Sequence, residues 1–171
     1  MISINQPTIA AVATHELLSR GYVMSEPTQK LLVAAELLDR ALVMYYEGSS
    51  YFAALHLAGG ADEILGTYAE RLGYESSFRS VRDGAVRLSK ILNGGIETKP
   101  KDISDIMNYA RNRTKHMNKG DDDLVLFDPQ TEARDLLGRA VSNFYCVMAH
   151  YDLHETELVA RFNEESASRG S

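Results

Sequence analysis

At 171 residues, 44% of them hydrophobic and only four of them proline, the chain is long enough to bury one sizeable core. No stretch approaches the roughly 18 consecutive apolar residues that a membrane-spanning helix needs, which excludes a membrane protein of that kind. The formal net charge of −6 excludes a bulk nucleic-acid coat, so RNA or a nucleotide could be held only at a local basic site.

Apolar residues recur at helical spacing nearly throughout and period-two alternation is almost absent, which predicts an all-α bundle of about five long helices. A short amphipathic stretch is expected over residues 8–20. His15 and Glu16 interrupt its apolar run and no cationic segment precedes it, which argues against a signal peptide. Pro27 and Thr28 open a helix that runs to Glu47 and stops at Gly48 and Ser49. The next is expected from Ser50 to Leu72, ended by Gly73 as a C′ glycine. Ser76 or Ser77 caps a third, to Leu92, closed by Asn93-Gly94-Gly95. Asp102 is the expected cap of a fourth that ends at Gly120, and Lys119 to Asp128 is a loop. Asp128, with Pro129 at the first helical position, opens a fifth to about Tyr151. A weaker periodic stretch, Glu155 to Phe162, precedes a polar tail, Asn163 to Ser171, expected to be disordered. The resulting division is an N-terminal extension with a short helix at 1–24, a helical bundle at 25–152, and a short helix with its tail at 153–171.

Charge is concentrated along this plan. Residues 79–119 hold ten Lys/Arg against four Asp/Glu, leaving eight against twenty in the rest of the chain. The extreme is Asn108-Tyr-Ala-Arg-Asn-Arg-Thr-Lys-His-Met-Asn-Lys119, with four cations, one histidine, three asparagines and no carboxylate. A solvated helix face usually mixes signs, so an unmixed basic stretch leaves its cations for phosphate, or for acidic surface elsewhere in the fold or in a second subunit. At 100° per residue, Ile103, Met107, Ala110, Thr114 and Met117 form the expected core stripe of the fourth helix. Asn108, Asn112, Lys115, His116 and Lys119 lie opposite, with Arg111 and Arg113 on the flanks, so the motif is expected to face water or another subunit. The Ser50–Leu72 helix shows a similar duality. Ala54, Leu57, Ala58, Ala61, Ile64, Leu65, Tyr68 and Leu72 make one apolar face, while Phe52, Leu55, His56, Gly59, Glu63, Gly66 and Glu70 suggest a second contact face. On the Asp128–Tyr151 helix the bundle stripe is Ala133, Leu136, Leu137, Ala140, Val141, Phe144, Met148 and Tyr151, which leaves Cys146, Ser142 and Arg139 on the far side.

Arg111-Asn-Arg-Thr-Lys-His116, an arginine followed by a polar residue and, after four intervening positions, a histidine, resembles the R-x(4–6)-H motif of the HEPN superfamily of helical domains. Leu57-Ala-Gly-Gly-Ala-Asp-Glu-Ile-Leu-Gly66 is similar to the acidic small-residue helix of bacterial HEPN-like proteins, and Phe127-Asp128-Pro129 to the Phe-Asp-Pro that leads into their last long helix. The resemblance covers about residues 28–150. It implies a compact helical homodimer whose two motifs meet in a composite cleft, acting as a metal-independent endoribonuclease or as a binder of RNA or nucleotide phosphate. No cofactor and no metal are implied.

The residue types suit that chemistry. Cleavage by the RNA's own 2′-hydroxyl needs a group that moves a proton near neutral pH, which a histidine such as His116 supplies, and a fixed cation for the charge gathering on phosphate, which Arg111 supplies. Asn112 could orient the ring, Glu63 could hold His116 or Arg111, and Arg113, Lys115 and Lys119 could meet phosphate. One geometric difficulty stands: five residues separate Arg111 from His116, about 140° on a straight α-helix. A shared site needs the helix to loosen near Gly120, or two subunits to supply opposite edges of one cleft. The alternative is a non-catalytic helical interaction module, a regulatory protein partner of a nucleotidyltransferase or a toxin.

Elsewhere the chemistry is thin. His150, His154 and Glu157 have i,i+4,i+7 spacing but straddle an expected helix break at Asp152-Leu153, so no metal site is assigned. Asp121-Asp122-Asp123 lacks the alternating ligands and glycine of a calcium loop and reads as a solvated turn. Cys146, the single cysteine, forms no internal disulfide and reads as a small, partly buried hydrophobe. With no membrane span, the expected location is the cytoplasm.

Overall fold

The computed structural model describes residues 28–117 and 123–169. The expected helix at 8–20, Lys119, and Asp121 with Asp122 lie outside the described residues. Those described form seven α-helices and no strand: α1 Lys30–Glu47, α2 Tyr51–Arg71, α3 Ser77–Leu92, α4 Pro100–Met107, α5 Tyr109–Lys115, α6 Pro129–Met148 and α7 Glu157–Arg169. No helix among them is long and apolar enough to cross a membrane.

Local chemistry sets most of the boundaries. Gly48 ends α1 in the left-handed region, at φ 71°, where a side chain would be strained. Gly73 does the same for α2 at φ 87°: its N–H donates to the Glu70 carbonyl and that of Tyr74 to the Ala69 carbonyl, both at 3.0 Å, the paired bonds of a Schellman ending. Asp128 caps α6, its Oδ2 accepting from the Thr131 N–H at 2.9 Å. The Thr131 hydroxyl, which also donates to Oδ2, and then that N–H hold its carboxyl below the usual carboxylate range.

The core is built by α1, α2 and α6, with α7 closed over α1 and α6. Leu31, Ala34, Leu38, Ala41 and Leu42 of α1 meet Ala54, Leu55, Ala58, Ala61 and Leu65 of α2 and Leu137, Ala140, Phe144 and Val147 of α6, all buried. Alanines at successive turns let the backbones come close, and the larger leucines and Phe144 fill the space between. The expected stripe on α6 is buried from Ala133 to Phe144, while Tyr151, beyond the helix, is 37% exposed.

Four expectations are corrected. Leu55, assigned to a second contact face, is fully buried in the chain's own core, because α2 is covered on more than one side. Arg139, placed on the far side of α6, is only 8% exposed, because an acidic partner, Asp62, sits opposite it on α2. The C-terminal periodicity does not stop at Phe162. The helix runs to Arg169, with Val159 and Phe162 buried in the common core and Tyr46 donating to Glu165 at 3.1 Å. Burial and that carboxylate push the Tyr46 phenol up to about 12.

The fourth correction concerns the basic segment. Instead of one helix from Asp102 to Gly120 there are two short ones. The first begins at Pro100, whose missing N–H and fixed φ suit the first helical position, and Asp102 falls in its first turn. The break lies at Asn108, with φ −103° and ψ 4°. Its side-chain amide donates to the Ser104 carbonyl at 3.0 Å, the kind of local bond by which asparagine competes with a helix ladder. The second helix ends at Lys115, five residues short of Gly120. Thr114 bonds back through its hydroxyl to the Ala110 and Arg111 carbonyls at 2.9 and 3.2 Å, and His116 leaves in extended conformation. The expected core stripe shrinks accordingly: Ala110 is buried, but Met117 is 79% exposed.

Candidate functional site

α5 lies across α2, and Arg111 makes that contact. Its guanidinium Nη1 donates to the Gly59 carbonyl at 3.3 Å and pairs with Glu63 Oε2 at 3.4 Å. Glycine at 59 is what admits it. A Cβ there would come within 2.7 Å of Arg111 Cδ, so any larger residue would push the arginine off α2. Of the two partners considered for Glu63, His116 and Arg111, the fold supplies Arg111. The expectation that the whole motif faces away from the core does not hold for Arg111, whose side chain is 24% exposed.

Arg111 lines a small polar cleft of about 190 Å³ with Glu63, Glu70 and Ser76, where Ser76 Oγ donates to Glu70 at 2.7 Å. Beneath it lies a buried network that charge counting along the sequence did not reveal. Asp62 and Arg139 approach at 3.2 Å, Asn143 donates to Asp62 Oδ1 at 2.9 Å, and Asn143 Oδ1 accepts from the Ser77 N–H at 2.8 Å. The network ties α2 and α6 to the first turn of α3. Burial raises the Asp62 carboxyl above its usual range, against the opposing pull of Arg139, Arg111 and Asn143, and burial lowers the Arg139 guanidinium. The only sequence signal for it was an Asp on the small-residue face of one helix and an Arg–Asn pair at i,i+4 on another.

His116 lies in a different cleft. It shares a concavity of about 360 Å³ with Asp105, Tyr109, Asn112 and Arg113. His116, Asn112 and Lys115 are exposed, and Arg113 Nη2 donates to the Leu124 carbonyl at 3.4 Å. Within one chain the fold thus joins His116 with Asn112 and Arg113 in one cleft and Arg111 with Glu63 in another; straight-helix spacing does not apply to His116, which has left α5 in extended conformation. A larger cleft of about 740 Å³ opens beside α6 against Val81, Ile106 and Phe162, and no described residue of the basic segment lines it.

His56, on α2, is the second imidazole near the basic segment. Burial lowers its pKa, and the positive charges of Arg111 and Lys115 lower it further. As pH falls through the ordinary histidine value near 6.5, the unfolded chain takes up this proton before the folded one does. Stability is therefore expected to fall with acidification from that point until the depressed folded value is passed. Denaturant titrations between neutral pH and pH 5 should show a shallower loss in His56→Gln than in the unaltered chain. An identical slope in both would remove His56 as the cause.

The Tyr74 hydroxyl lies 2.8 Å from His150 Nε2, and Cys146 is partly buried with a free thiol. Among the described residues no three His, Cys, Asp or Glu side chains are grouped to hold a metal ion. In comparison with known proteins, no family model matches the chain, and no curated protein or solved structure shows significant similarity to it.

Proposed function

We propose that the chain is a HEPN-like, RNA-binding and RNA-cleaving homodimer whose reaction is centred on His116. The observation that carries this reading is the exposed cleft in which His116 stands beside Asn112 and Arg113, on the most basic segment of an acidic chain. In the proposed reaction the RNA 2′-hydroxyl gives its proton to a base and attacks the adjacent phosphorus. The 5′-oxygen leaves with a proton, producing a 2′,3′-cyclic phosphate and a 5′-hydroxyl. The imidazole of His116 suits the proton transfers, and Arg113, Lys115 and Lys119 suit the phosphates. Arg111 is given a positioning role, since its guanidinium is occupied on α2 and anchors α5 there.

The dimer is part of the proposal for two reasons. Among the described residues the cleft at His116 is small and open, and large apolar side chains on and beyond α3 are exposed, among them Ile91 at 78% and Ile96 at 74%. The competing reading, a non-catalytic interaction module, is favoured by that engagement of Arg111 within its own chain.

The discriminating experiment incubates purified protein with single-stranded RNA in EDTA over a salt series. Expected are cyclic-phosphate ends despite the chelator, and binding that weakens with salt by a log–log slope of about −0.7 for each phosphate contacted. RNA left intact across neutral pH would remove the enzyme and favour the module, and binding independent of salt would remove phosphate recognition. A particle of only 19.0 kDa at micromolar concentration would overturn the dimer.

A further inference from the structure

The cleft at His116 has an aromatic wall that the proton and phosphate chemistry does not use. Tyr109 opens α5 one residue after the break at Asn108, and it lines the same cleft as Asn112, Arg113 and His116. The residue is 46% exposed although its side chain is large and mostly apolar. It is not loose: Tyr109 meets Phe127 with ring centroids 6.4 Å apart and planes at 78°, and Phe127 meets Phe52 at 6.1 Å and 70°. In such an edge-to-face pair Phe127 covers at most one face of the tyrosine, so the other is held in a fixed orientation without being covered by Phe127.

We propose that Tyr109 is a stacking platform for one unpaired nucleobase, and that it makes the His116 cleft selective for single-stranded RNA. This rests on the ribonucleic-acid reading of the same cleft. Every base has a π-face, so stacking on tyrosine recognises an unpaired base without demanding a sequence. In an A-form duplex those faces are already stacked on neighbouring pairs, and the deep, narrow major groove keeps side chains from the base edges. A base seated on Tyr109 would leave its phosphates toward Arg113, with the Asn112 amide and the Asp105 carboxylate lining the same cleft. Phe52 and Phe127, contributed by α2 and by the strand of chain before α6, act as positioning residues that keep the ring from turning.

The test compares binding of three probes to the full chain in EDTA at low salt: a single-stranded oligoribonucleotide, a blunt duplex containing it, and an abasic oligomer with the same phosphates. The unaltered protein is expected to favour the first over both others. Tyr109→Leu should weaken the first on the order of 5- to 150-fold, the loss of one stacked base, while leaving the abasic probe unchanged. Tyr109→Phe should restore the preference, because the ring and not the hydroxyl is used. Undiminished single-strand binding by Tyr109→Leu, or equal binding of duplex and single strand by the unaltered chain, overturns this proposal and leaves the ribonuclease reading standing. Failure of the unaltered chain to bind any of the three probes defeats both. Circular dichroism of Tyr109→Leu superimposing on that of the unaltered chain is expected, since the residue is on the surface.

Discussion

His116→Ala is expected to lower RNA cleavage on the order of 10²- to 10⁴-fold while leaving the fold and the RNA affinity largely intact, the range a positioned proton-transfer group contributes. The fold is spared because the His116 side chain is exposed at the end of α5 and outside the core, and alanine keeps the backbone N–H bond to the Asn112 carbonyl. On the proposed reading the affinity is spared because the cations assigned to phosphate are Arg113, Lys115 and Lys119, not His116. An effect on turnover without one on binding is the signature of an interaction made only in the transition state. Arg111→Lys is the informative companion. The arginine anchors α5 through the Gly59 carbonyl and Glu63, so lysine, which keeps the charge but loses the fork, is expected to damage activity by loosening the cleft rather than by removing charge. Cleavage unchanged in His116→Ala, measured by single-turnover kinetics on the same oligonucleotide, would place the chemistry elsewhere or in a contaminant.

Arg139→Ala is expected to destabilise the protein by about 3–5 kcal/mol, the usual result of removing one partner of a buried ion pair. Asp62 would be left buried with Asn143 as its near partner, and the Phe78 ring would lose the guanidinium whose Cζ lies 5.3 Å from its centroid. The sign of the pH dependence supplies an independent check. Burial already raises Asp62, and without Arg139 it should rise further, so the folded state would bind the proton more tightly than the unfolded chain. The stability gap between variant and unaltered chain should therefore narrow as pH falls through the raised folded value toward the ordinary carboxylate range. The double variant Asp62→Leu/Arg139→Met should recover most of the loss, because it removes both charges at similar volume. Denaturant titrations that put Arg139→Ala within about 1 kcal/mol of the unaltered chain would show the pair to be hydrated and unimportant.

Periodicity and end signals were enough to read the all-α class, the extents of α1 to α3, and the start of α6. Each of those depends on residues adjacent in sequence: an apolar stripe at 3.6-residue spacing, a glycine able to adopt positive φ, an Asp-Pro start. For Glu63 the residue types left two partners open, His116 and Arg111, and the fold brings it to Arg111. The split at Asn108 was harder to see, because Asn, Thr and Ser bond to nearby backbone in ways that propensity ranks only weakly. The C-terminal helix was undervalued for a related reason: its polar residues made a tail of Asn163 to Arg169, yet the helix is anchored by Phe162, Val159 and the Tyr46–Glu165 bond, which are tertiary contacts.

What the sequence by itself determined was therefore the inventory: which segments coil into helices and where the cations gather. Only the tertiary structure decided how that inventory is used. Leu55 and Arg139 are buried because α2 is enclosed by α1, α6 and α5 at once, a matter of which helices pack together and not of spacing within one. Arg111 turns inward because Gly59 leaves room for it, and Tyr109 joins Phe127 and Phe52 across residues far apart in the chain. Spacing along a helix gives the direction of a side chain, but what it meets there depends on long-range packing, to which several elements contribute together and which no single one encodes.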